Sequence, residues 1–383
     1  MLSITEIVVW DVVVMAITDN MLMSVCLRLL LVFPVVRAQV QGGTQGSNLK
    51  QALFIFGDSL VDVGNNNYIN SLAKANIPYN GIDYDNGVPT GRFCNGRTVA
   101  DVLGDLMGIP PPPPYLAPTT KGTAILQGVN YASGAGGILD STGANYISRI
   151  SFNQQLQLFS NTKTSLVQIL GSDGAEQLLS KAIFYIVHGS NDYINNYLVA
   201  NSATAARFSP SQYQNLLMST FSQQLSTLYN LGARKVVVFG VGPLGCIPSQ
   251  LNQRNSPGPC IQFINDLVVN FNNGARQMLT FLNAQLPGSS FVFGDTYSAF
   301  VEQFNNPNRY GFASTNIGCC GLGKFNGGFP CLPFSNLCPD RSKYLFWDPF
   351  HPSDAANVNF GEFFFTGGQN FISPINVQQL AAL

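Results

Sequence analysis

Five short, mostly apolar runs constrain the fold of this 383-residue chain more than any other feature of its sequence. They lie at residues 52–56, 128–132, 182–187, 235–239 and 290–293. Runs of this length are too short for a stable helix and are typical of strands. Their apolar residues are mostly consecutive instead of alternating, which is typical of strands that are buried on both faces. The runs therefore predict a mainly parallel sheet between layers of helices.

Helical patterns separate most of these runs. Apolar residues recur three or four positions apart in the segments 99–107, 150–169, 210–231 and 267–286. A closing turn and helix are predicted within residues 348–365. Strands that alternate with helices predict a parallel sheet that is covered on both faces. Because the sequence has no internal repeat and no break in composition, we predict a single domain.

The composition excludes several classes of partner. Hydrophobic residues make up 46% of the chain, which is enough for a large core, whereas charged residues make up only 10%. The first 38 residues carry two of the 19 basic and three of the 20 acidic side chains, which leaves 17 of each. A balanced chain without basic runs argues against nucleic acid or an anionic membrane as a partner.

The first 38 residues have the features of a secretory signal. An apolar stretch at 22–33 is followed by small residues suited to signal peptidase, which predicts a mature start near Gln39. Residues 39–50 then form a flexible lead-in, and the domain covers 51–383. Acidic side chains in the first twenty residues are unusual for a signal, so a later start codon is an alternative. An arginine and a proline interrupt the stretch, which is therefore too short to span a bilayer, and we predict a secreted, extracellular protein.

Secretion makes disulfides the expected state of the cysteines. Cys246 and Cys260 flank a loop rich in proline, glycine and asparagine, and we predict that they pair. The four cysteines between positions 319 and 338 allow three pairings, among which the sequence does not choose. Cys94 is left over and is predicted to be a free thiol. A zinc site is a poor alternative, because the chain has no CxxC motif and only two histidines.

Ser59 lies just after the end of the first predicted strand. Gly57 permits a sharp turn there, and Leu60, Val61 and Val63 predict a helix behind it. Open α/β sheets place their reactive groups at the carboxyl ends of the strands. A serine in that position also lies near backbone N–H groups that can stabilise an oxyanion. The alternative is that Ser59 only caps the helix.

The scarcity of histidine limits the candidates for a general base. A serine nucleophile needs a base, and only His188 and His351 are available. Asp348 precedes His351 by three residues, so its carboxylate can accept one imidazole N–H and leave the other ring nitrogen for the serine proton. His188 continues an apolar strand, as a packed core residue does. We therefore predict His351 as the base.

Two other patterns favour no further chemistry. Residues 240–245 fit the GxGxxG pattern of dinucleotide sites, but two prolines disrupt the helix start that would hold a pyrophosphate. We predict a tight turn there. The GxSxG elbow of α/β-hydrolases is absent from the sequence. No cofactor and no metal are predicted.

Four motifs resemble, in the same order, those of the plant GDSL-type esterase/lipase family within the SGNH hydrolases. They are FGDSLVDVGNNNY at 56–68, GVNYASGAGGIL at 128–139, GSNDYINNY at 189–197 and DPFHPS at 348–353. The resemblance runs from about residue 52 to the C-terminus. It implies a flavodoxin-like, three-layer α/β/α sandwich with a central, mainly parallel sheet, the SGNH hydrolase fold.

The resemblance also implies a catalytic triad. Ser59 is the expected nucleophile, and His351 is the expected general base and then acid. Asp348 is expected to orient His351. His188 departs from the family pattern, which usually has an aliphatic residue at that position.

Three oxyanion donors are implied by the same resemblance. The N–H of Ser59 is one of them, and the side-chain amide of Asn191 is another. The third is expected to be a backbone N–H of the glycine loop, residues 133–137, which follows the predicted strand at 128–132. We choose Gly134 for this role, with Ala135 and Gly136 as close alternatives.

These features predict a secreted carboxylic-ester hydrolase that acts on lipid or other acyl esters, with a monomer as the default. One alternative is an acyltransferase that hands the same acyl group from Ser59 to an alcohol. A second alternative is an idle binding or defence protein on the same scaffold. The complete set of Ser59, Asp348 and His351 argues against that second alternative.

Overall fold

The computed structural model describes residues 51–256 and 258–383, and the predicted signal and lead-in lie outside them. The strands of the main sheet are β1 Leu53–Gly57, β2 Ile183–Val187, β3 Lys235–Phe239, β4 Ser290–Gly294 and β9 Ile372–Ser373. The first four are parallel neighbours in that order. β9 is added to β4 in the antiparallel direction. The sheet is therefore mainly parallel, as predicted.

A further segment extends the sheet beside β1 without forming a regular strand. The N–H of Ile55 donates to the Val129 carbonyl at 3.0 Å, and the Ile55 carbonyl accepts the Tyr131 N–H at 2.7 Å. Asn130 forms an isolated parallel bridge with Ile55. With this segment counted second along the chain, the parallel order is 2-1-3-4-5, which is the flavodoxin-like order. The predicted fold class is confirmed.

Aromatic side chains fill the core on both faces of the sheet. Every residue of β1 and β2 is buried. On one face, the rings of Phe54 and Phe159 lie 5.4 Å apart. On the other face, Phe239 packs on Phe364 with ring centroids 5.0 Å apart. Burial of these uncharged strands on both faces supplies much of the hydrophobic stabilisation of the fold.

Helices and four short strands complete the described part of the chain. The helices are α1 Val99–Met107, α2 Phe152–Lys181, α3 Ser190–Asp192, α4 Ala203–Arg207, α5 Pro210–Asn230, α6 Pro248–Gln253, α7 Gln262–Gln285, α8 Thr296–Asn305, α9 Asp354–Phe365 and α10 Val377–Ala382. The short strands are β5 Ser314–Gly318, β6 Cys320–Gly321, β7 Asn336–Leu337 and β8 Tyr344–Phe346. The four segments with helical apolar spacing correspond to α1, α2, α5 and α7, and the predicted closing helix corresponds to α9. The sequence analysis did not predict the helices α3, α4, α6, α8 and α10.

Within the described residues no helix follows Ser59 directly, and that prediction is wrong. The Asp58 carbonyl accepts the N–H groups of Val61 and Asp62, which makes a single turn. The Asp62 carboxylate then accepts the Gly64 N–H at 2.7 Å. Gly64 has a φ of 133°, which no right-handed helix contains. An aspartate side chain that hydrogen-bonds the backbone therefore ends the turn before a helix can form.

The stretch 240–245 is irregular at first and leads into a tight turn, in which the Cys246 N–H donates to the Pro243 carbonyl at 2.9 Å. β3 ends at Phe239, and a 3-10 turn spans Leu244–Cys246. The next helix, α6, begins at Pro248. No described helix starts directly behind the glycines, so the arrangement that would hold a pyrophosphate is not formed there.

Three disulfides join cysteines outside the main sheet. They are Cys246–Cys260, Cys319–Cys338 and Cys320–Cys331. The first is the predicted pair, and the other two resolve the choice that the sequence left open. Cys94 is free and buried, and it packs in a cluster with the second and third disulfides and Trp347. This cluster lies beside the chain that leads to Asp348, because the Cys320 N–H donates to the Trp347 carbonyl at 2.7 Å.

Candidate active site

The fold brings the predicted site residues to one edge of the sheet. Ser59 follows β1, Asn191 follows β2, and Ala135 follows the segment beside β1. Asp348 and His351 come from the loop between β8 and α9. All five line one cavity of about 220 Å³. The carboxyl ends of parallel strands meet at this edge, which explains why distant parts of the chain converge here.

A continuous chain of hydrogen bonds joins Ser59, His351 and Asp348. His351 Nε2 lies 2.8 Å from Ser59 Oγ, although 292 positions separate the two residues. His351 Nδ1 lies 2.8 Å from each carboxylate oxygen of Asp348. With Nδ1 donating to the carboxylate, Nε2 is left to accept the serine proton. Asp348 and His351 are 3% and 7% exposed, so little water competes for these bonds.

Backbone hydrogen bonds fix the carboxylate of Asp348. Its Oδ1 accepts the N–H groups of Phe350 and His351, each at 2.8 Å. The His351 carbonyl accepts the Trp347 N–H at 2.8 Å, which closes the loop on itself. The indole of Trp347 donates in turn to Asn80 Oδ1 at 2.9 Å. The acid and the base therefore belong to one short, preorganised loop.

Hydrogen bonding within the glycine loop changes the expected oxyanion donor. The Gly134 N–H donates to Asp62 Oδ2 at 3.0 Å, and the Gly136 N–H donates to the Ser133 carbonyl at 2.9 Å. Neither group is free for a substrate, so the choice of Gly134 conflicts with its hydrogen bonding. No described residue accepts the Ala135 N–H, and Ala135 lines the cavity. Ala135, one of the two alternatives, becomes the candidate donor.

Two more donors border the same cavity. The Ser59 N–H finds no acceptor in residues 51–256 and 258–383. Asn191 is 4% exposed, and its Nδ2 donates one hydrogen to the Gly136 carbonyl at 2.9 Å. The second hydrogen of that nitrogen has no acceptor among the described residues. Ser59, Ala135 and Asn191, which line the same cavity, thus offer three N–H groups as candidate donors to a developing oxyanion.

Comparison with known proteins identifies the family. A family model described as GDSL-like Lipase/Acylhydrolase matches residues 53–364, which include all five of these site residues. The chain belongs to this family. GDSL esterases/lipases are therefore the proper reference for its site, and the chain is an enzyme of that type.

Individual GDSL relatives cover nearly the whole chain. One GDSL esterase/lipase of Arabidopsis thaliana is 46% identical over 335 residues, which cover 87% of this chain and 89% of that protein. GDSL esterase/lipase 7 of the same plant is 47% identical over 341 residues, covering 88% and 93%. A third is 45% identical over 343 residues, covering 88% and 87%.

Two buried carboxylates in the GDSL motifs hold the loops that carry the donors. Asp62 accepts the Gly134 N–H, as described above. Asp192 accepts the Ile138 N–H at 2.9 Å and the Thr142 hydroxyl at 2.6 Å. The sequence analysis gave these aspartates no role, although both lie in the quoted motifs. Their signal was an acidic residue with no basic neighbour just beyond a strand predicted to be buried.

His188 lies outside this hydrogen-bonded group. Its Nε2 is 3.4 Å from Gln155 Oε1, and its ring packs on Phe152 with centroids 4.7 Å apart. Burial lowers the pKa of His188 to about 3, so the ring is neutral at ordinary pH. His188 does not line the cavity around Ser59. It is the packed core residue that the sequence analysis favoured over a base.

A second, smaller cavity meets the first at the catalytic candidates. Its volume is about 50 Å³, and Ser59, Asn191 and His351 line both cavities. The other lining residues of the small cavity are mostly apolar, among them Leu244, Ile247, Phe300 and Phe350. An ester whose carbonyl group lies at Ser59 can therefore place one of its two substituents in each cavity.

Asp58 is a buried carboxyl group next to the candidate nucleophile. The only hydrogen bond to its side chain in the described structure comes from the Leu60 N–H, at 3.0 Å. Burial raises the pKa of Asp58 to about 7, although the Leu60 N–H and the charge of His351 act to lower it. A single donor does not replace the lost hydration of a carboxylate, which explains the direction of the shift.

Replacing Asp58 by asparagine is expected to flatten the pH dependence of stability. The pKa of this carboxyl is about 7 in the folded protein and 3.8 in its ordinary state, so folding takes up a proton between these values. The wild-type free energy of unfolding therefore falls as the pH rises through that window. Between pH 5.5 and 8 the ionisation of this group lowers the free energy of unfolding by about 2 kcal/mol. Urea unfolding of both proteins at both pH values measures the effect, and equal pH dependence would contradict it.

Two further properties concern only the residues that the structure describes. They contain no group of three or more histidine, cysteine, aspartate or glutamate side chains that could hold a metal ion. None of their helices combines the length and the apolar character needed to cross a bilayer.

Proposed function

We propose that this GDSL-family enzyme is a secreted carboxylic-ester hydrolase that works through an acyl-Ser59 intermediate. The observation that carries the proposal is the 2.8 Å contact between Ser59 Oγ and His351 Nε2, with Asp348 on the other ring nitrogen. A serine hydroxyl is a weak nucleophile until a base removes its proton. This arrangement supplies such a base, and the carboxylate of Asp348 favours the tautomer in which Nε2 accepts the proton.

In the first half of the reaction, Ser59 Oγ attacks the ester carbonyl as His351 Nε2 takes its proton. Asp348 accepts the Nδ1 hydrogen bond and stabilises the imidazolium without taking a proton itself. The tetrahedral intermediate then collapses, and the ester C–O bond breaks. His351 gives its proton to the leaving alkoxide, which departs as an alcohol.

In the second half, water attacks the acyl-Ser59 ester. His351 removes a proton from that water and returns it to Ser59 Oγ when the acid leaves. In both halves the carbonyl oxygen becomes negative, and the N–H groups of Ser59, Ala135 and Asn191 are proposed to stabilise it. Removing one such donor typically raises the barrier by about 3–4 kcal/mol.

The cavities support an acyl ester as the substrate. Leu72, Phe93, Ile194 and Phe350 line the larger cavity, so apolar side chains surround much of the space beside the nucleophile. Apolar lining with a few polar groups near the reacting atoms is typical of small-molecule sites. We propose that lipid or other acyl esters bind here.

We also propose that the enzyme is secreted and that residues 51–383 form one domain. The three disulfides support secretion, because such bonds persist in oxidising compartments. The plant relatives are consistent with this localisation. Cleavage near Gln39 stays a prediction, which N-terminal sequencing of the mature protein tests.

Two alternatives predict different products. An acyltransferase passes the acyl group from Ser59 to an alcohol, so transfer would exceed hydrolysis when an acceptor alcohol is present. An idle binding protein on this scaffold would release no product from any ester. The hydrogen-bonded set of Ser59, His351 and Asp348 favours the two catalytic functions over the idle one.

A panel of p-nitrophenyl esters of increasing acyl length tests the proposal, with and without glycerol as an acceptor. We expect wild type to release p-nitrophenol and free acid, and Ser59→Ala to release neither above background. Ser249→Ala is the matched control, because the Ser249 hydroxyl is buried and has no hydrogen-bond partner among the described residues. Full activity of Ser59→Ala, or an inactive wild type, would contradict the proposed function.

A further inference from the structure

The amide of Asn191 stabilises an oxyanion only if its nitrogen, not its oxygen, is directed at the reacting carbonyl. The two ends of a primary amide are nearly equal in size, so packing does not choose between them. At one end, Nδ2 donates to the Gly136 carbonyl at 2.9 Å, and a carbonyl can only accept. The other end, Oδ1, is buried with the residue and needs a donor of its own.

Asn195 supplies that donor. Its Nδ2 lies 2.7 Å from Asn191 Oδ1, and both side chains line the cavity around Ser59. A π-helical turn over Tyr193–Tyr197 carries Asn195 four positions after Asn191. Single π-helical turns are rare in proteins overall, and those that occur often lie at functional sites. The motif GSNDYINNY therefore carries both the candidate donor and the group that orients it.

We propose that Asn195 is a positioning residue of the oxyanion site, which it serves by fixing the amide of Asn191. This role rests on the proposed function, since it acts through a group that stabilises the tetrahedral intermediate. Without the hydrogen bond from Asn195, only the Gly136 carbonyl still orients the Asn191 amide, so the turned-over form becomes more populated. Its oxygen then faces the developing negative charge, and the transition state loses one donor and gains a repulsion.

Asn196, the next residue on the same π-helical turn, is a matched control. Its Nδ2 donates to Thr142 Oγ1 at 3.3 Å, and its Oδ1 accepts the Thr204 hydroxyl at 2.6 Å. None of its described hydrogen bonds reaches Asn191. Replacing either asparagine by alanine removes an amide from the same turn, so a general loosening of the turn affects both variants.

A double-mutant cycle on the mature protein tests the positioning role with p-nitrophenyl acetate as the probe. We expect Asn191→Ala to lower kcat by about 10²- to 10³-fold, as the loss of one oxyanion donor does. Asn195→Ala is expected to lower kcat by about tenfold, with KM changed less than about twofold. In the Asn191→Ala background Asn195 has no amide to orient, so Asn195→Ala is expected to lower kcat no further. Asn196→Ala is expected to keep the wild-type kcat.

An isosteric variant separates orientation from packing. Asn195→Asp keeps the shape of the side chain but replaces the donor by a carboxylate, which only accepts at neutral pH. Its carboxylate attracts Asn191 Nδ2 and turns the amide over, so kcat is expected to fall to about the level of Asn191→Ala.

Several results would overturn the positioning role. One is an equal loss of kcat from Asn195→Ala in the wild-type and the Asn191→Ala backgrounds. The others are a loss of kcat from Asn196→Ala as large as that from Asn195→Ala, and a wild-type kcat in Asn195→Asp. A wild-type kcat in Asn191→Ala also overturns it, because Asn191 then stabilises no oxyanion. The proposed function fails separately, when Ser59→Ala remains active.

Discussion

Alanine at position 351 is expected to lower kcat for ester hydrolysis by about 10⁴- to 10⁶-fold, with a much smaller effect on KM. The reason is that His351 Nε2 is the only base within hydrogen-bond distance of Ser59 Oγ in the described structure. Asp348→Asn is expected to lower kcat by about 10⁴-fold, since the imidazole loses the carboxylate that fixes its tautomer. Steady-state kinetics with p-nitrophenyl acetate measures both.

Non-additivity provides the internal control for this result. Ser59 and His351 act as a unit, so the double variant Ser59→Ala/His351→Ala is expected to be no slower than either single variant. Circular dichroism and thermal unfolding check that each variant is folded. A folded His351→Ala protein that keeps kcat within tenfold of wild type would contradict the assignment of His351 as the base.

Replacing Arg92 by alanine is expected to lower the free energy of unfolding by about 3–5 kcal/mol. The Arg92 guanidinium makes two hydrogen bonds to the Asp101 carboxylate, both at 2.8 Å, and the side chains are 6% and 2% exposed. Burial alone would raise the pKa of Asp101, but the charge and hydrogen bonds of Arg92 turn the net shift downward. Removing the arginine leaves a buried, uncompensated carboxylate at the start of α1, which is the source of the cost.

An exposed ion pair of the same geometry is the matched control for Arg92. Arg341 also makes two hydrogen bonds to one carboxylate, that of Asp83, at 2.6 Å each, but about a third of each side chain is exposed. Water screens this pair, so Arg341→Ala is expected to lower the free energy of unfolding by less than about 1 kcal/mol. Urea unfolding followed by the fluorescence of Trp347, which is fully buried, measures both variants. Equal losses in the two variants would contradict the role of burial.

The sequence predicts the central sheet well because its signal is local. Each of the four parallel strands β1 to β4 is a short, mostly apolar run between glycine-rich or polar residues, and its consecutive apolar positions indicate burial on both faces. The two-residue strand β9 carries no such signal and was not predicted. The helices with clear apolar spacing were found for the same reason. α8 was missed although Asp295 caps it by accepting the Ser298 N–H, a start signal that the sequence carried.

The remaining features depend on contacts between distant residues. The choice among the glycine-loop donors depends on such a contact, because the Gly134 N–H donates to Asp62, which lies 72 positions away in the sequence. The pairing of the four late cysteines is likewise decided by the fold and not by their spacing. Candidates for the acid, the base and the nucleophile could be named from residue types, but only the fold brings Ser59 to His351.

Covalent labelling with a fluorophosphonate, followed by peptide mass spectrometry, tests the catalytic assignment most directly. An activated serine attacks the phosphorus, so a single adduct on Ser59 is expected in the wild-type protein. The adduct is expected to be absent from Ser59→Ala and to form far more slowly in His351→Ala. A folded wild-type protein that stays unlabelled, or that is labelled equally well in Ser59→Ala, would contradict Ser59 as the nucleophile.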